Sequence, residues 1–502
     1  MMIDTGDPRV IRRALWIVLA ASVIIRLPYL TAPIEDRHSW NQCSAATVIR
    51  NLAERDFNPF RTQWDVLDPG PARDNVEAEE APIYHVAAAL LYRAFGVSHA
   101  WPRLLSILAM LTGSFFLFRL ATRLYDEQAA LAAVVFWNFA PFPWFFGRTI
   151  MSDPWMVACV IAAADLWHRW LDSDRPRDLY LAGLATCLAA LFKVFALYLG
   201  VLFLATGLAR HRARFFTNAR TWIFGALCAF LPVAWIVYAA GIGSLGNATE
   251  GAGQIVGSTK LWGSAELLTS GRFWMTLQSR LFDRAMTPVV TALAVVALAG
   301  RDTRARSGYV LWWIAATGVF ALVMGEGHFL HNYYQLPFTP PLAVLAGAGF
   351  AALLRRFDAT ERRLAVGVAT IAVFLTVSTL YVRNEYRTDP SSTRAGELAR
   401  EVTPEDALLL VLDPGSTRKN QVIYHAHRRG WFLRRMSPDD IERHRAWGAT
   451  FAVTCLSDDQ LGRAADALAY LDARYRRVRT GRAFGDGREH QIRIYDLRSA
   501  TP

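Results

Sequence analysis

The sequence predicts a polytopic α-helical membrane protein with about eleven transmembrane helices and a small C-terminal α/β soluble domain. Its 502 residues are 53% hydrophobic and only 19% charged, whereas soluble domains carry about a quarter charged residues. Apolar stretches alternate with short charged connections from Arg13 to Arg383, and mean hydropathy over the chain is +0.20. Beyond Arg383 the composition is that of a soluble protein.

The apolar stretches define the predicted membrane spans. Most approach the ~20 residues that a helix needs to cross the hydrocarbon core. They are residues 13–30, 101–122, 128–147, 154–171, 178–193, 195–210, 220–240, 286–300, 307–325, 333–354 and 364–382. We therefore expect a transmembrane domain over residues 1–385, with long outer loops at 31–100 and 241–285, and a C-terminal domain over residues 386–502.

The distribution of arginines predicts the orientation. Every second connection is rich in arginine, whereas the short connections between them hold little more than Arg148 and Lys193. Because positive residues stay on the cytoplasmic side, the N-terminus is predicted to be cytoplasmic. The long loops and the C-terminal domain then lie in the periplasm, outside a bacterial inner membrane. The +11 net charge follows this pattern and not an aromatic–basic strip, so nucleic acid is not an expected partner.

The two long loops contain one predicted helix and one predicted lid. Residues 83–95 are apolar but too short to span the bilayer, which indicates a helix lying in the membrane interface. Residues 241–256 are rich in glycine and serine, a composition typical of loops that close over a ligand. A flexible loop without any catalytic part is the alternative for the second segment.

The C-terminal region shows the alternating patterns of an α/β domain. Residues 407–412 and 448–455 are predicted to be buried strands, and residues 457–475 an amphipathic helix. Residues 477–497 are expected to form a hairpin that turns at 485–487, where Gly-Asp-Gly allows positive backbone angles. No catalytic signature lies in this domain.

Carboxylates cluster at the predicted outer ends of the spans. Asp36, preferred over Glu35, follows the first span, and a group transfer to a hydroxyl needs such a base to accept its proton. Asp153 precedes Pro154 at a helix start, where an acid is also explained by the helix dipole. Glu80 ends an acidic run, which is otherwise read as a solvated face.

Cations and aromatic residues lie at the same predicted level. Lys193 and Arg148 can meet a lipid phosphate, although a lysine at the end of a span can also snorkel to the surface. The last outer turn contains His331, Tyr333 and Tyr334, and interfacial tyrosines are common membrane anchors. Its acid and histidines, residues 326, 328 and 331, do not have zinc-site spacing. We therefore expect no cofactor, and a divalent metal held by these three residues is the alternative.

Four passages together resemble a known family. They are Glu35-Asp36-Arg37-His38, Glu80-Ala81-Pro82-Ile83-Tyr84, Arg148-Thr149-Ile150-Met151-Ser152-Asp153-Pro154 and His331-Asn332-Tyr333-Tyr334-Gln335-Leu336-Pro337. In their order and shared outer placement they are similar to the GT-C glycosyltransferases of the protein-O-mannosyltransferase and lipid A aminoarabinose transferase type, over about residues 10 to 385.

The resemblance implies a reaction and roles for the site residues. Such enzymes take a sugar from a polyprenyl phosphate on the outer face of the membrane and commonly invert the anomeric centre. By this resemblance Asp36 is the base or positions the acceptor, and Asp153 is the second acid. Lys193 lies near the donor phosphate with Tyr333 or Tyr334 beside it. A lysine of some relatives is absent, and Arg148, Arg103 or His328 are its candidate replacements.

The expected function is therefore transfer of a sugar from a polyprenyl-phosphate-linked donor to an envelope glycan, lipid or protein. The expected partners are that donor, the acceptor and the lipid bilayer. A multi-span transporter is the main alternative, although internal repeats and midplane charges, which are typical of transporters, are not evident. A lipid-linked glycan ligase is the other alternative.

Overall fold

The structure is a computed structural model that describes residues 8–71, 75–76, 78, 80–242, 262–412, 420–485 and 487–500. These residues form two compact units. The first, here called the helical unit, comprises residues 8–30, 102–242 and 262–384, and the second, the mixed unit, comprises residues 31–101 and 385–500. The structure thus groups the first outer loop with the C-terminal region, whereas the sequence analysis assigned that loop to the transmembrane domain.

Helices occupy most of the chain. Up to residue 242 they are α1 (Pro8–Ile24), α2 (Ser39–Glu54), α3 (Ile83–Phe95), α4 (Ala100–Leu124), α5 (Glu127–Phe139), α6 (Pro141–Phe146), α7 (Asp153–Ser173), α8 (Pro176–Phe192), α9 (Leu199–His211), α10 (Arg214–Thr217) and α11 (Ala219–Gly241). From residue 262 onward they are α12 (Ala265–Thr269), α13 (Gly271–Gln278), α14 (Thr287–Ala299), α15 (Arg301–Arg306), α16 (Gly308–Val323), α17 (Gly325–Leu330), α18 (Thr339–Leu354), α19 (Thr360–Val382), α20 (Ser391–Val402), α21 (Gln421–Ala426), α22 (Pro438–Ala446), α23 (Asp458–Leu461) and α24 (Ala465–Arg474).

Among the described residues, four tighter or wider helical segments adjoin these helices. The 3₁₀ segments Val194–Tyr198 and Asn332–Phe338 lead directly into α9 and α18. A π-helix, Ser279–Ala285, continues α13. The 3₁₀ segment Gly462–Ala464 joins α23 to α24.

The membrane-spanning character is confirmed, but the number of spans is not. Among the described residues, five helical segments are long and apolar enough to cross a bilayer: Ala100–Leu124, Val194–His211, Ala219–Gly241, Asn332–Leu354 and Thr360–Val382. Gly271–Ala285 and Thr287–Ala299 make a sixth if they are counted as one span bent by 97°. Each of the eleven predicted spans contains helix. Because only five or six of the described segments are long and apolar enough to cross a bilayer, the number eleven remains a prediction.

The loop predictions have different outcomes. Residues 83–95 are a helix with the predicted bounds, whereas its place in the membrane interface remains a prediction. Most of the predicted lid, from residue 243 to 256, lies outside the described residues. Helical structure at residues 265–285, in α12, α13 and the π-helix, was not predicted.

Close packing around α18 holds the last outer turn of the helical unit in place. Gly347 lies against the backbone of Ala129 in α5, and Gly349 against the backbone of Leu293 in α14, so a Cβ at either glycine would overlap a carbonyl oxygen. Small residues allow helices to approach this closely where no hydrophobic effect drives them together. Because the turn at 325–338 leads into α18, its position is set by this rigid contact.

The mixed unit is built on a five-stranded sheet and a short two-stranded ribbon. The strands are β1 (Gln63–Trp64), β2 (Asn75–Val76), β3 (Leu408–Leu412), β4 (Arg429–Leu433), β5 (Phe451–Ser457), β6 (Tyr475–Gly485) and β7 (Arg488–Ala500). The sheet order is β4-β3-β5-β7-β6, with β3 parallel to β4 and β5, and with β7 antiparallel to β5 and β6. β1 and β2 form the ribbon.

Apolar side chains cover both faces of the sheet. One buried cluster joins β3, β4 and β5 to α22 and α24, and the other joins β3, β5 and β7 to α20 and α21. The predicted strands correspond to β3 and β5, and the predicted hairpin to β6 and β7. The predicted helix at 457–475 corresponds to α23 and α24, which the 3₁₀ segment Gly462–Ala464 joins into helical structure from residue 458 to 474. Strand β4 was not predicted.

The first outer loop extends the sheet beyond β4. Val66 forms a parallel bridge with Gly430. The amide of Leu67 donates to the carbonyl of Gly430 at 2.8 Å, and the amide of Gly430 donates to the carbonyl of Asp65 at 3.1 Å. The backbone of Leu409 packs on Gly430 so closely that a Cβ would overlap it. These backbone hydrogen bonds explain why the loop and the C-terminal region form one unit.

Candidate active site

Asp153 begins α7 at a turn that leaves little room for larger residues. Pro154 occupies the first turn of α7 and stops the preceding turn from continuing as helix. Gly147, before the turn, lies against the carbonyl of Pro143 and the guanidinium of Arg26, and a Cβ there would collide with both. Asp153 is 2% exposed, and a carboxylate at this position is stabilised by the N-terminal end of the helix dipole.

Lys193 reaches Asp153 from the end of α8. Its Nζ lies 3.5 Å from Oδ2 of Asp153, and the two side chains are 10% and 3% exposed. The backbone of Lys193 is extended, which ends α8 and turns the side chain toward α7. The ammonium also lies 5.9 Å from the ring centres of Phe195 and Tyr333, close enough for a cation–π attraction.

Aromatic rings of the last outer turn pack together on the side of Lys193 where Tyr333 lies. The ring of His331 stacks on Tyr333 at 5.3 Å and on Tyr334 at 5.9 Å, and Tyr334 packs on Phe195 at 5.1 Å. Burial, followed by the charges of Arg280 and Lys193, lowers the pKa of His331 to about 4. His331 is therefore neutral at physiological pH, and the positive charge of this region belongs to lysine and arginine.

Arg280 is a cation that the sequence analysis did not identify. It lies in the π-helix, and its Nη1 donates to the carbonyl of His328 at 2.7 Å. Through this bond the π-helix is attached to the turn that carries His331. The only local sign of its role is the apolar spacing of residues 271–278, which indicates a helix on this outer loop; the partner carbonyl is 48 residues away.

Arg148, a predicted phosphate ligand, is packed among aromatic rings. It is 1% exposed, and its guanidinium lies 5.3 Å from the ring centres of both Tyr29 and Phe145. Arg103, named as a replacement, donates to the carbonyls of Tyr29 and Leu30 at 2.8 and 3.0 Å. Both arginines thus stabilise the chain that follows α1, and binding of phosphate by Arg148 remains a prediction.

Asp36 lies in the mixed unit, at the start of α2. Its Oδ1 accepts a hydrogen bond from Nε2 of Gln42 at 2.6 Å, and its carbonyl accepts one from the amide of Ser39. His38, which precedes α2, adopts a left-handed conformation with φ of 56°. Burial raises the pKa of the neighbouring Glu35, although a bond from Thr393 opposes that rise. Asp36 itself is buried, and it is oriented by a donor only six residues away.

Glu80 is half-buried and comes just before the start of α3, in the mixed unit. Asp74, Glu77 and Glu79 of the same acidic run lie outside the described residues.

The structure therefore brings together one group of the predicted residues. Asp153, Lys193, His331, Tyr333 and Tyr334 form a cluster in the helical unit, which Arg280 joins. We call these six residues the outer cluster. Among the described residues no three His, Cys, Asp or Glu side chains are arranged to hold a metal ion.

Comparisons with known proteins agree with the predicted resemblance. A family model described as dolichyl-phosphate-mannose-protein mannosyltransferase matches residues 79–238. Comparison with curated protein sequences finds no match.

Solved structures share the fold. ArnT from Cupriavidus metallidurans bound to undecaprenyl phosphate superposes with a TM-score of 0.60 at 13% identity, over 95% of this chain and 97% of that one. The oligosaccharyltransferase AglB from Archaeoglobus fulgidus, in complex with an inhibitory peptide and a dolichol-phosphate, gives 0.55 at 12% identity, over 93% and 72%. These matches confirm the fold that the resemblance to GT-C glycosyltransferases implies.

Proposed function

We propose that this chain is an integral membrane glycosyltransferase that transfers a sugar from a polyprenyl-phosphate-linked donor to a glycan, lipid or protein acceptor. The observation that carries the proposal is the outer cluster in a chain of this fold. Lys193 pairs there with Asp153 and lies beside the ring of Tyr333. Arg280 adds a second cation at the turn that carries the tyrosines. The complexes of similar proteins with undecaprenyl phosphate and dolichol-phosphate support a donor of the same class.

Lys193 and Arg280 are suited to bind the donor phosphate. Both cations lower the pKa of the same half-buried ring, that of His331, so an anion beside this ring meets positive charge from two elements. The surrounding rings of Phe195, Tyr333 and Tyr334 restrict the access of water and lower the local dielectric, which strengthens the attraction. A phosphate whose charge is offset in this way is a good leaving group.

The transfer itself is one displacement. The acceptor oxygen forms a bond to the anomeric carbon while the bond from that carbon to the phosphate oxygen breaks, and its electron pair leaves with the polyprenyl phosphate. Asp36 accepts the proton of the acceptor, and Asp153 stabilises the positive charge that develops on the sugar. Attack from the face opposite the leaving group inverts the anomeric centre. Glu80 is proposed as a further acid close to the membrane surface.

The topology is proposed to be eleven spans with a cytoplasmic N-terminus. Asp153 and Asp165 lie twelve residues apart on α7, a rise of about 18 Å at 1.5 Å per residue. The arginines of α4, Arg119 and Arg123, contact Asp165, so the outer cluster lies at the opposite end of α7 from this arginine-rich end. By the positive-inside rule the outer cluster then faces the periplasm of a bacterial inner membrane.

The test is sugar transfer by the purified protein in nanodiscs, supplied with a panel of radiolabelled polyprenyl-phosphate sugars. We expect release of polyprenyl phosphate from at least one donor. The transfer rate of Asp36→Asn should be about a thousandfold lower than that of the wild type, because the base is removed. Asp56→Asn, an exposed acid of the same loop, serves as the matched control and should retain wild-type rates. Folded protein that moves a lipid-linked sugar across a proteoliposome membrane without cleaving it would instead establish transport.

A further inference from the structure

The turn that carries Asp36, residues 32–37, is attached on both sides of this residue to a segment more than 300 residues later. The amide of Asp389 donates to the carbonyl of Glu35 at 2.9 Å, and the amide of Arg37 donates to the carbonyl of Glu385 at 3.2 Å. Both neighbours of Asp36 therefore have their backbone fixed by residues 385–393, here called the linker segment.

Side chains reinforce this attachment. Nε of Arg37 lies 3.2 Å from the carboxylate of Glu385, whose side chain is only 6% exposed. Thr393 hydrogen-bonds the carboxylate of Glu35. At the start of the turn, Nδ1 of His99 lies 3.2 Å from the carbonyl of Ala32. The turn is thus held at three of the residues that flank Asp36.

The linker segment is in turn positioned by the C-terminal sheet. Oδ1 of Asp389 accepts hydrogen bonds from the amide and hydroxyl of Ser391 at 3.0 and 2.5 Å. Gly485, at the end of β6, packs on the same carboxylate so tightly that a Cβ would overlap Oδ1. On β5, the thiol of Cys455 contacts the carbonyl of Ser391 at 3.6 Å. The position of Asp389 therefore depends on two strands.

We infer that the C-terminal sheet positions Asp36: strands β5 and β6 fix the linker segment, and the linker segment fixes the backbone on either side of the base. The inference rests on the proposed role of Asp36 as base. Its physical reason is that a proton acceptor displaced by about 1 Å loses much of its rate advantage. Glu385, Asp389 and Gly485 are accordingly positioning residues, since they act through Asp36 and not on the substrate.

The first experiment compares Gly485→Ala with Gly462→Ala. The alanine methyl at 485 must displace Asp389, whereas a Cβ at 462 meets no atom within 4 Å, so the second variant is a matched control. We expect Gly485→Ala to accelerate amide hydrogen exchange in peptides covering residues 32–42, and to lower kcat about tenfold with donor KM nearly unchanged. Gly462→Ala should match the wild type in both measurements.

A second experiment keeps the inference testable if Gly485→Ala does not fold. Arg37→Gln and Glu385→Gln each remove one charge of the pair, and we expect each to lower kcat several-fold. Because the two residues act as a unit, the kcat of the double variant should be no lower than that of the less active single variant. Glu489→Gln, which disrupts an exposed pair with Arg482 in the same unit, should have no effect on kcat.

The outcomes separate the two proposals. Unchanged hydrogen exchange and unchanged kcat in Gly485→Ala, or additive losses in the Arg37 and Glu385 variants, would overturn the positioning role. Exchange that rises as expected in a protein whose wild type transfers no sugar would overturn the proposed function, while the structural link from β6 to the Asp36 turn would stand.

Discussion

The helical unit contains two buried carboxylates on α7 that are paired with cations in different ways. Asp165 is fully buried and contacts the guanidiniums of Arg123 and Arg119, the latter at 3.7 Å, both from α4. Arg123 also donates to the backbone carbonyl of Asp165 at 3.1 Å. Asp153 instead pairs with one lysine, Lys193, at 3.5 Å.

This contrast between arginine and lysine indicates which of the two clusters is suited to bind a substrate. A guanidinium is planar, holds several donors in fixed directions and is well satisfied by a carboxylate and a carbonyl. A lysine ammonium is a compact charge on a flexible chain, so it can exchange one anionic partner for another. We interpret the Asp165 cluster as a structural link between α4 and α7, and the outer cluster as a binding site.

Of the substitutions in these two clusters, Lys193→Gln should reduce transfer most. Lys193→Gln removes the ammonium from the outer cluster, and we expect kcat/KM to fall about a hundredfold, because an anion must then be bound in a low-dielectric site with one cation fewer. Transfer assays and binding of undecaprenyl phosphate by native mass spectrometry measure the effect. Undiminished binding of this lipid by Lys193→Gln would contradict the role of Lys193.

A smaller effect is expected at Arg280, which extends the outer cluster to the π-helix. Arg280→Gln should weaken undecaprenyl phosphate binding about tenfold, since the second cation and its bond to His328 are lost. Arg284→Gln is the matched control, because Arg284 is exposed and lies in the same π-helix. Equal losses in both variants would show that the segment contributes only its overall charge.

The opposite result is expected at the structural cluster. Arg123→Gln leaves the buried Asp165 with fewer cationic contacts, which costs about 3 kcal/mol in other proteins. We expect a clearly lower thermal midpoint in detergent, together with kcat/KM within about twofold of the wild type for the protein that stays folded. A loss of transfer without a loss of stability would remove the distinction between the two clusters.

The smallest effect concerns pH. Because the pKa of His331 is about 4, this ring stays neutral between about pH 5.5 and 8. Undecaprenyl phosphate binding by the wild type and by His331→Gln should therefore show the same pH dependence in that range. A protonation step that disappears in His331→Gln would contradict the assignment of the positive charge to Lys193 and Arg280.

The same lowered pKa affects stability with a definite sign. The folded protein holds the proton of His331 more weakly than the unfolded chain, whose histidine pKa is about 6.5. The stability contributed by the neutral ring is present above that value and is lost as the pH falls toward 4. The thermal midpoint of the wild type should consequently fall more between pH 7.5 and about 5 than that of His331→Gln.

The local patterns of the sequence predicted the fold class, the helices within the apolar stretches and much of the C-terminal sheet. Apolar periodicity and length report directly on whether a segment is surrounded by lipid, core or water. For this reason the sequence predicted strands β3 and β5 and the β6–β7 hairpin. β4 was missed, since Arg429–Leu433 is short and includes Gly430, which is favoured only because Leu409 packs against it.

The candidate site was only partly predictable. Asp153, Lys193, His331, Tyr333 and Tyr334 were identified by their place at the ends of apolar stretches, and the structure assembles them. The pairing of Asp153 with Lys193 joins residues forty positions apart, which no local pattern encodes. Arg280 was overlooked because its partner is the backbone carbonyl of His328 in another segment.

Local sequence patterns were sufficient to predict membrane-spanning helices, their approximate positions and the polar residues at their ends, because hydrophobic burial acts on each segment separately. In contrast, the pairing of the first outer loop with the C-terminal sheet and the attachment of the Asp36 turn to the linker segment could be seen only in the folded chain. Hydrogen bonds such as that between the amide of Asp389 and the carbonyl of Glu35 depend on backbone groups that every residue possesses. Their partners are chosen by the packing of the whole chain and not by side-chain identity.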